Sequence, residues 1–246
     1  MKRLRKTQIT VWPAITDLMT TVVIIAVLGG IIGYQHNKRL LEIDRARISI
    51  MDEFESQLSS SNINVKVMYD EGVLRFSENA INFPFGSETP SPRHLRNIER
   101  LAQVLNEVVP CYITPDISSM RIRNNNSSSN STYCQSPTKY ICKENNYQWS
   151  IGTILIEGHT DNVPVGENHR LKNNLELSSV RSANVYNMIT ACKPSIQDMR
   201  NSKNVPIFST SGYGEMRPAD TSDLSSIDNR RIDIRLILEP RQDKAS

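Results

Sequence analysis

Trp12-Pro-Ala-Ile-Thr-Asp-Leu-Met-Thr-Thr-Val-Val-Ile-Ile-Ala-Val-Leu-Gly-Gly-Ile-Ile-Gly-Tyr34 divides this chain in two. At the helical rise per residue it reaches roughly 33 Å, enough for a bilayer core. Trp12 and Tyr34 bracket it at the positions that interfacial rings favour, and Pro13 suits a first helical turn, where its missing N–H is unpaired anyway. One residue is out of place. Asp17 sits near the start of the run, where a carboxylate costs less than the roughly 2.5–3.5 kcal/mol of a helix centre but still costs. An ionisable group there marks an ion or proton site by default. Thr20 and Thr21 share its helix face, and their hydroxyls could hydrogen-bond the acid or a water on a proton path. The plainer alternative is an Asp that reaches the interface or caps the helix start.

Working outward, Lys2, Arg3, Arg5 and Lys6 precede the run, and Lys38, Arg39, Arg45 and Arg47 follow it, so the positive-inside count is nearly tied. The basic start also suits a cleaved signal peptide, but no small-x-small site follows the run. Cys111, Cys134, Cys142 and Cys192 all lie beyond it. An even set in an oxidising compartment implies disulfides, and the spacings match no zinc pattern. The expected placement is therefore a bacterial inner membrane, with residues 1–11 cytoplasmic, 12–34 spanning and the body periplasmic. Pairing is open among the possible connectivities. Cys134–Cys142 with Cys111–Cys192 is preferred, because the first closes a short loop and the second joins two helix ends. The net charge of +3 over 246 residues points to no nucleic-acid partner, and no cofactor is expected.

The remainder reads as a helical linker, 35–62, and one α/β domain, 63–240. In the linker, Leu41, Ile48, Met51 and Leu58 recur at helical spacing, widened by Ile43, Ile50 and Phe54. Val65–Tyr69 and Val73–Phe76 flank Asp70-Glu-Gly72 as a hairpin. Pro92–Val109 predicts a helix with Leu95, Ile98, Leu101, Ala102 and Leu105 on one face. Residues 114–146 form an insertion with a low-complexity Asn/Ser tract and two of the cysteines. Thr153–Glu157, Val205–Thr210 and Arg231–Leu238 predict strands, and Asn174–Ala191 a helix. Such alternation argues for a mixed sheet packed with helices.

Chemistry gathers at Gly158-His-Thr-Asp161, Asn174-x-x-Leu-Ser-x-x-Arg181-Ser-Ala, Gly212-Tyr-Gly-Glu215-x-x-Pro218 and Asn229-Arg-Arg-Ile-Asp-Ile234. Arg grips a carboxylate in two-point fashion and Asp an ammonium, so Asp161 with Arg181 could hold a zwitterion. From spacing alone an ordinary salt bridge is the competing account. His159 adjoins Thr160 and Asp161, but neither a nucleophile elbow nor a metal triad is visible beside it, so no hydrolase is expected.

Together these motifs resemble the OmpA-like peptidoglycan-binding domain over roughly Phe76 to Leu238. The resemblance implies that Asp161 meets the amino group and Arg181 the carboxylate of diaminopimelate in the stem peptide, with Thr160, Asn174 and Arg230 supporting. Ser182 stands where that family often has Ala. Trp12-x4-Asp17-x-Met-Thr20 resembles the start of MotB, the stator B subunit, in which the matching Asp carries the driving proton. The short linker and the four cysteines depart from flagellar MotB and resemble the ZorB component of the Zorya anti-phage system. The resemblance implies a non-enzymatic homodimer inside a MotA-like ring of A subunits, fixed to peptidoglycan and driven by ions through Asp17. A flagellar MotB-type stator and a passive OmpA- or Pal-like anchor are the alternatives.

Overall fold

The computed structural model describes residues 12–77, 79–113, 134, 142, 148–167 and 169–241. The expected N-terminal tail and, apart from Cys134 and Cys142, all of the expected insertion lie outside these. Two compact units emerge, residues 1–43 and 44–246. Helix α1, Trp12–Ser60, runs through the boundary. In the first unit it reaches a mean hydropathy of 2.2 over its most apolar 18 residues, and none of that window is buried. It is therefore long and apolar enough to cross a membrane.

From Asp44 onward α1 belongs to the second unit. Ala46, Ile50, Met51, Phe54 and Leu58 are wholly buried there, at the spacing of one helix face. Part of the stretch read as a linker is thus core material. Leu41 and Ile48, expected on that stripe, are exposed instead. Strands β1, Lys66–Met68, and β2, Val73–Phe76, form the expected antiparallel hairpin. Gly72 closes it with φ +65, and a Cβ there would also lie 2.9 Å from the Leu236 carbonyl oxygen.

Helix α2, Pro92–Val108, starts with proline in its first turn and buries Ile98, Leu101, Ala102, Leu105 and Val108. Its inward residue one turn earlier is His94; Leu95, expected inside, is 40% exposed. Pro110 does not end the helical region but opens a short helix α3, Pro110–Ile113. Strand β3, Trp149–Gly158, then helix α4, Asn174–Cys192, then strand β4, Phe208–Gly212, make a parallel crossover unit. Asn173 caps α4, its side chain accepting the Glu176 N–H at 2.9 Å. Strand β5, Ile232–Pro240, inserts antiparallel between β2 and β3, so the sheet order is β1-β2-β5-β3-β4. The architecture is the expected one: a long apolar helix, then a mixed sheet packed with helices.

Cys111 bonds Cys142 and Cys134 bonds Cys192. This corrects the preferred pairing of Cys134 with Cys142. Each bridge joins one cysteine of the helical framework to one of the insertion, instead of closing the insertion on itself. Cys111 and Cys192 sit at helix ends as expected, but each reaches outward to the insertion.

Candidate binding cleft

Helix α4 lies unusually close to the sheet. A Cβ on Gly158, the last residue of β3, would fall 2.0 Å from the Ser178 carbonyl oxygen, and one on Gly212, the last of β4, 2.2 Å from Ser179 Oγ. Glycine at both strand ends lets the first turns of α4 rest against backbone. Arg181 is thereby brought beside the loop that leaves β3 through Thr160 and Asp161. The two are lining residues of one cleft, with Thr160, Asn174 and Arg230. All five residues predicted for binding therefore meet. Phe85 and Gly86 from one segment and Val163, Pro164 and Val165 from another also line it.

Asp161 and Arg181 are not paired with each other. Asp161 Oδ2 accepts from Arg230 Nη1 at 2.7 Å. Arg181, 1% exposed, donates through Nε to the Ser87 carbonyl at 2.8 Å and through Nη2 to the Pro84 carbonyl at 3.4 Å. Its guanidinium lies 4.8 Å from the Phe83 ring centroid. Burial pushes the Arg181 guanidinium down to about 10, an effect that nearby Asp161 opposes, so it stays charged at neutral pH. Arg181 Nη1 is buried without a hydrogen-bond partner, as are Thr160 Oγ1 and Arg230 Nε. Buried donors without partners are costly, and three such atoms lie in this cleft.

Asn174 pins the floor. Its Nδ2 donates to the carbonyls of Asp161 at 3.2 Å and Val163 at 3.1 Å and to Glu215 Oε2 at 2.7 Å. The Gly212–Glu215 motif contributes more: Gly214 accepts the Thr160 N–H at 2.9 Å, and its own N–H donates to Ser178 Oγ at 2.8 Å. Asn229 is an organiser too. It accepts from the Ala219 and Asp220 N–H groups and donates to the Asp220, Asp223 and Leu224 carbonyls, so it shapes the loop that leads to Arg230. The segment Asn82–Pro90, which supplies the Arg181 carbonyls and a wall, went unread in the sequence. Phe83 and Phe85 around Pro84, ahead of Gly86, were its signal.

Beneath the cleft lies an ionic layer that the sequence reading also missed. Arg75, Asp233 and Glu157 are direct cross-strand partners on β2, β5 and β3. Arg75 and Arg231 both donate to Asp233, and Arg235 to Glu157. Tyr213 is stacked between His159, at 5.4 Å between centroids, and Arg217, at 4.0 Å. Burial, then the charges of Arg231, Arg75, Arg217 and Arg235, hold the His159 imidazole down to about 2, so it is neutral. Glu157, His159 and Asp233 place ligand atoms within 4.8 Å of one another. No metal triad was visible around His159 in sequence because Asp233 arrives from a distant strand. The group does not fit a metal ion, since guanidiniums already hold both carboxylates and a cation would face them.

The other predicted site lies on α1. Thr20 and Thr21 donate to the backbone carbonyl of Asp17, at 2.9 and 2.7 Å, and Thr20 also to that of Thr16 at 3.0 Å. These hydroxyls thus satisfy themselves within the helix.

No protein-family model matches the chain. Motility protein B of Bacillus subtilis (strain 168) is 30% identical over 87 residues, 34% of this chain and 30% of that protein. The match thus spans less than a third of that relative's length. Among solved structures, a MotB-like protein from Desulfovibrio vulgaris superposes with TM-score 0.48 at 21% identity, over 83% of this chain and 98% of that one. The periplasmic domain of Helicobacter pylori MotB gives 0.42 at 18% identity, over 70% and 79%. The cell wall anchor of the T6SS from Pseudomonas aeruginosa gives 0.44 at 17% identity, over 77% and 97%.

Proposed function

We propose that this chain is the peptidoglycan-anchored B subunit of an ion-driven rotary motor in the bacterial inner membrane. The observation that carries the anchor is the buried Arg181, held by two carbonyls with Nη1 left unpartnered in the cleft. Arg181 and Arg230 face Asp161, so the charged residues lining the cleft carry one excess positive charge. That balance favours a ligand carboxylate on Arg181, while the Asp161 carboxylate, which already accepts from Arg230, can accept from a ligand ammonium as well. The diaminopimelate end of a stem peptide offers both groups on one carbon. Thr160 Oγ1 is a further donor or acceptor at the same wall. The likeness to Motility protein B supports the assignment, as do the four sequence motifs.

Asp17 is the proposed proton carrier, in a homodimer within a ring of MotA-like subunits, with residues 1–11 cytoplasmic and the domain periplasmic. The ring turns against the anchored core as Asp17 loads and releases a proton. The cysteine-bearing insertion and the short stretch between apolar run and domain support a role in anti-phage defence of the Zorya type. The likeness to a motility protein keeps the flagellar reading as the second.

Two measurements test this. Purified full-length chain in detergent should co-sediment with peptidoglycan, and both Arg181→Ala and Asp161→Ala should lose at least about tenfold in affinity. Retention equal to wild type in both variants would remove the anchor reading. In cells carrying the gene and its neighbours, Asp17→Asn should abolish phage protection while swimming and wall retention persist. Lost swimming instead selects the flagellar stator, and no change in either selects a passive anchor.

A further inference from the structure

The segment between Asp161 and Arg181 is long, and its middle, His169-Arg170, does not line the cleft. His169 nevertheless has both ring nitrogens engaged. Its Nδ1 accepts the Leu171 N–H at 3.0 Å. A ring nitrogen that accepts carries no proton, so the neutral ring holds its hydrogen on Nε2, which donates to the Gly86 carbonyl at 2.8 Å. Beside it, Arg170 pairs with the Glu88 carboxylate through Nε and Nη2. From α4, Asn184 Nδ2 donates to the Glu88 carbonyl at 2.9 Å.

These bonds tie the 162–173 loop to the 82–91 segment. The tied point matters. Gly86, in the left-handed region at φ +66, lies between Pro84 and Ser87, whose carbonyls take two of the Arg181 donors. Both bridged segments also line the cleft. Arg170 is 70% exposed at its side chain, and exposed ion pairs contribute little. The half-buried His169 bond is the stronger tie.

We propose that His169 is a positioning residue for the cleft. Its bond to Gly86 sets the place of the Pro84 and Ser87 carbonyls, and so decides which Arg181 donor remains free for a ligand carboxylate. The inference rests on the peptidoglycan reading for its ligand but not for its geometry.

Three substitutions separate the two bonds of the ring. In His169→Gln the longer amide carries an N–H to the Nε2 position and restores the bond to Gly86. In His169→Asn the shorter amide places an oxygen near the Nδ1 position and restores only the bond from Leu171. His169→Ala restores neither. The readouts are affinity of full-length chain for a tripeptide ending in meso-diaminopimelate, and amide hydrogen exchange over residues 85–88. We expect His169→Gln to bind nearly as wild type, and His169→Asn and His169→Ala to lose about five- to tenfold, with faster exchange at 85–88 in those two alone. Equal binding and exchange in all three variants would overturn the proposal. So would retention by Asn with loss by Gln, since that assigns His169 only the shape of its own loop. A wild-type chain that ignores the tripeptide would sink the peptidoglycan reading, and the exchange pattern would still decide the latch.

Discussion

His159 is 1% exposed, with Nε2 3.5 Å from Asp233 Oδ2, and its burial, reinforced by four arginine charges, has a measurable consequence for acid stability. The unfolded chain takes up a proton on this ring near pH 6.5, while the folded chain resists until about 2. Below pH 6.5 the unfolded state therefore binds more protons. The stability present above pH 6.5 is lost as pH falls toward 2, at up to about 1.4 kcal/mol per unit. Melting temperature followed from pH 7 to 4 should fall more steeply for wild type than for His159→Gln. Parallel curves would mean that the ring gains its proton in place. Gly158 is a second single-residue test. Adding one methyl group against the Ser178 carbonyl forces β3 and α4 apart, so Gly158→Ala should cost about 3 kcal/mol or more by chemical denaturation. An ordinary change of less than about 1 kcal/mol would show that α4 moves freely.

At the scale of elements, the long periodic pieces were legible and their partners were not. Helix α2 and the β1–β2 hairpin lie close to where period and turn residues put them, because amphipathic spacing and Gly72 act locally. Strand β4 was read too early, as Val205–Thr210. Gly212, outside the expected strand, is a strand residue whose missing side chain admits Ser179. Asp161 and Arg181 were legible as residue types, while Asn174 and Arg230 came only from the family resemblance. Their pairing was not legible: Asp161 engages Arg230 across 69 residues, and Arg181 engages carbonyls 94 and 97 residues away. Backbone oxygens leave no residue-type signature, so a side chain held by them cannot be seen in a sequence. Alternation in Ile232-Asp-Ile-Arg-Leu236 did mark the two faces of β5. It could not say that the polar face would be closed by Arg75 and Glu157 from its neighbours.

For the whole molecule, the boundary at Asp44 makes a prediction about fragments. A chain starting at Asp44 retains Ile50, Met51, Phe54 and Leu58, whereas one starting at Ile63 deletes these four large, fully buried side chains along with the buried Ala46. Each such side chain contributes about 1.5–3 kcal/mol, and a domain's whole margin is about 5–15 kcal/mol. The longer fragment should melt cooperatively and the shorter should aggregate or melt without a transition. A stable shorter fragment would return residues 44–60 to the role of linker.

The crossed bridges bear on how the chain is made. In chain order the cysteines pair first with third and second with fourth. Loop closure favours the nearest partners, and Cys134 and Cys142 are the closest in sequence, so the fastest oxidation product is the wrong one. Chains that oxidise in that order therefore need to exchange one disulfide for another before they mature. Cells lacking a disulfide isomerase should accumulate chains bridged Cys134–Cys142 in peptide maps run without reductant, and correctly bridged protein there would show that the framework folds before it oxidises. For such a protein, supply would be set by the thiol chemistry of its compartment as well as by expression of its gene.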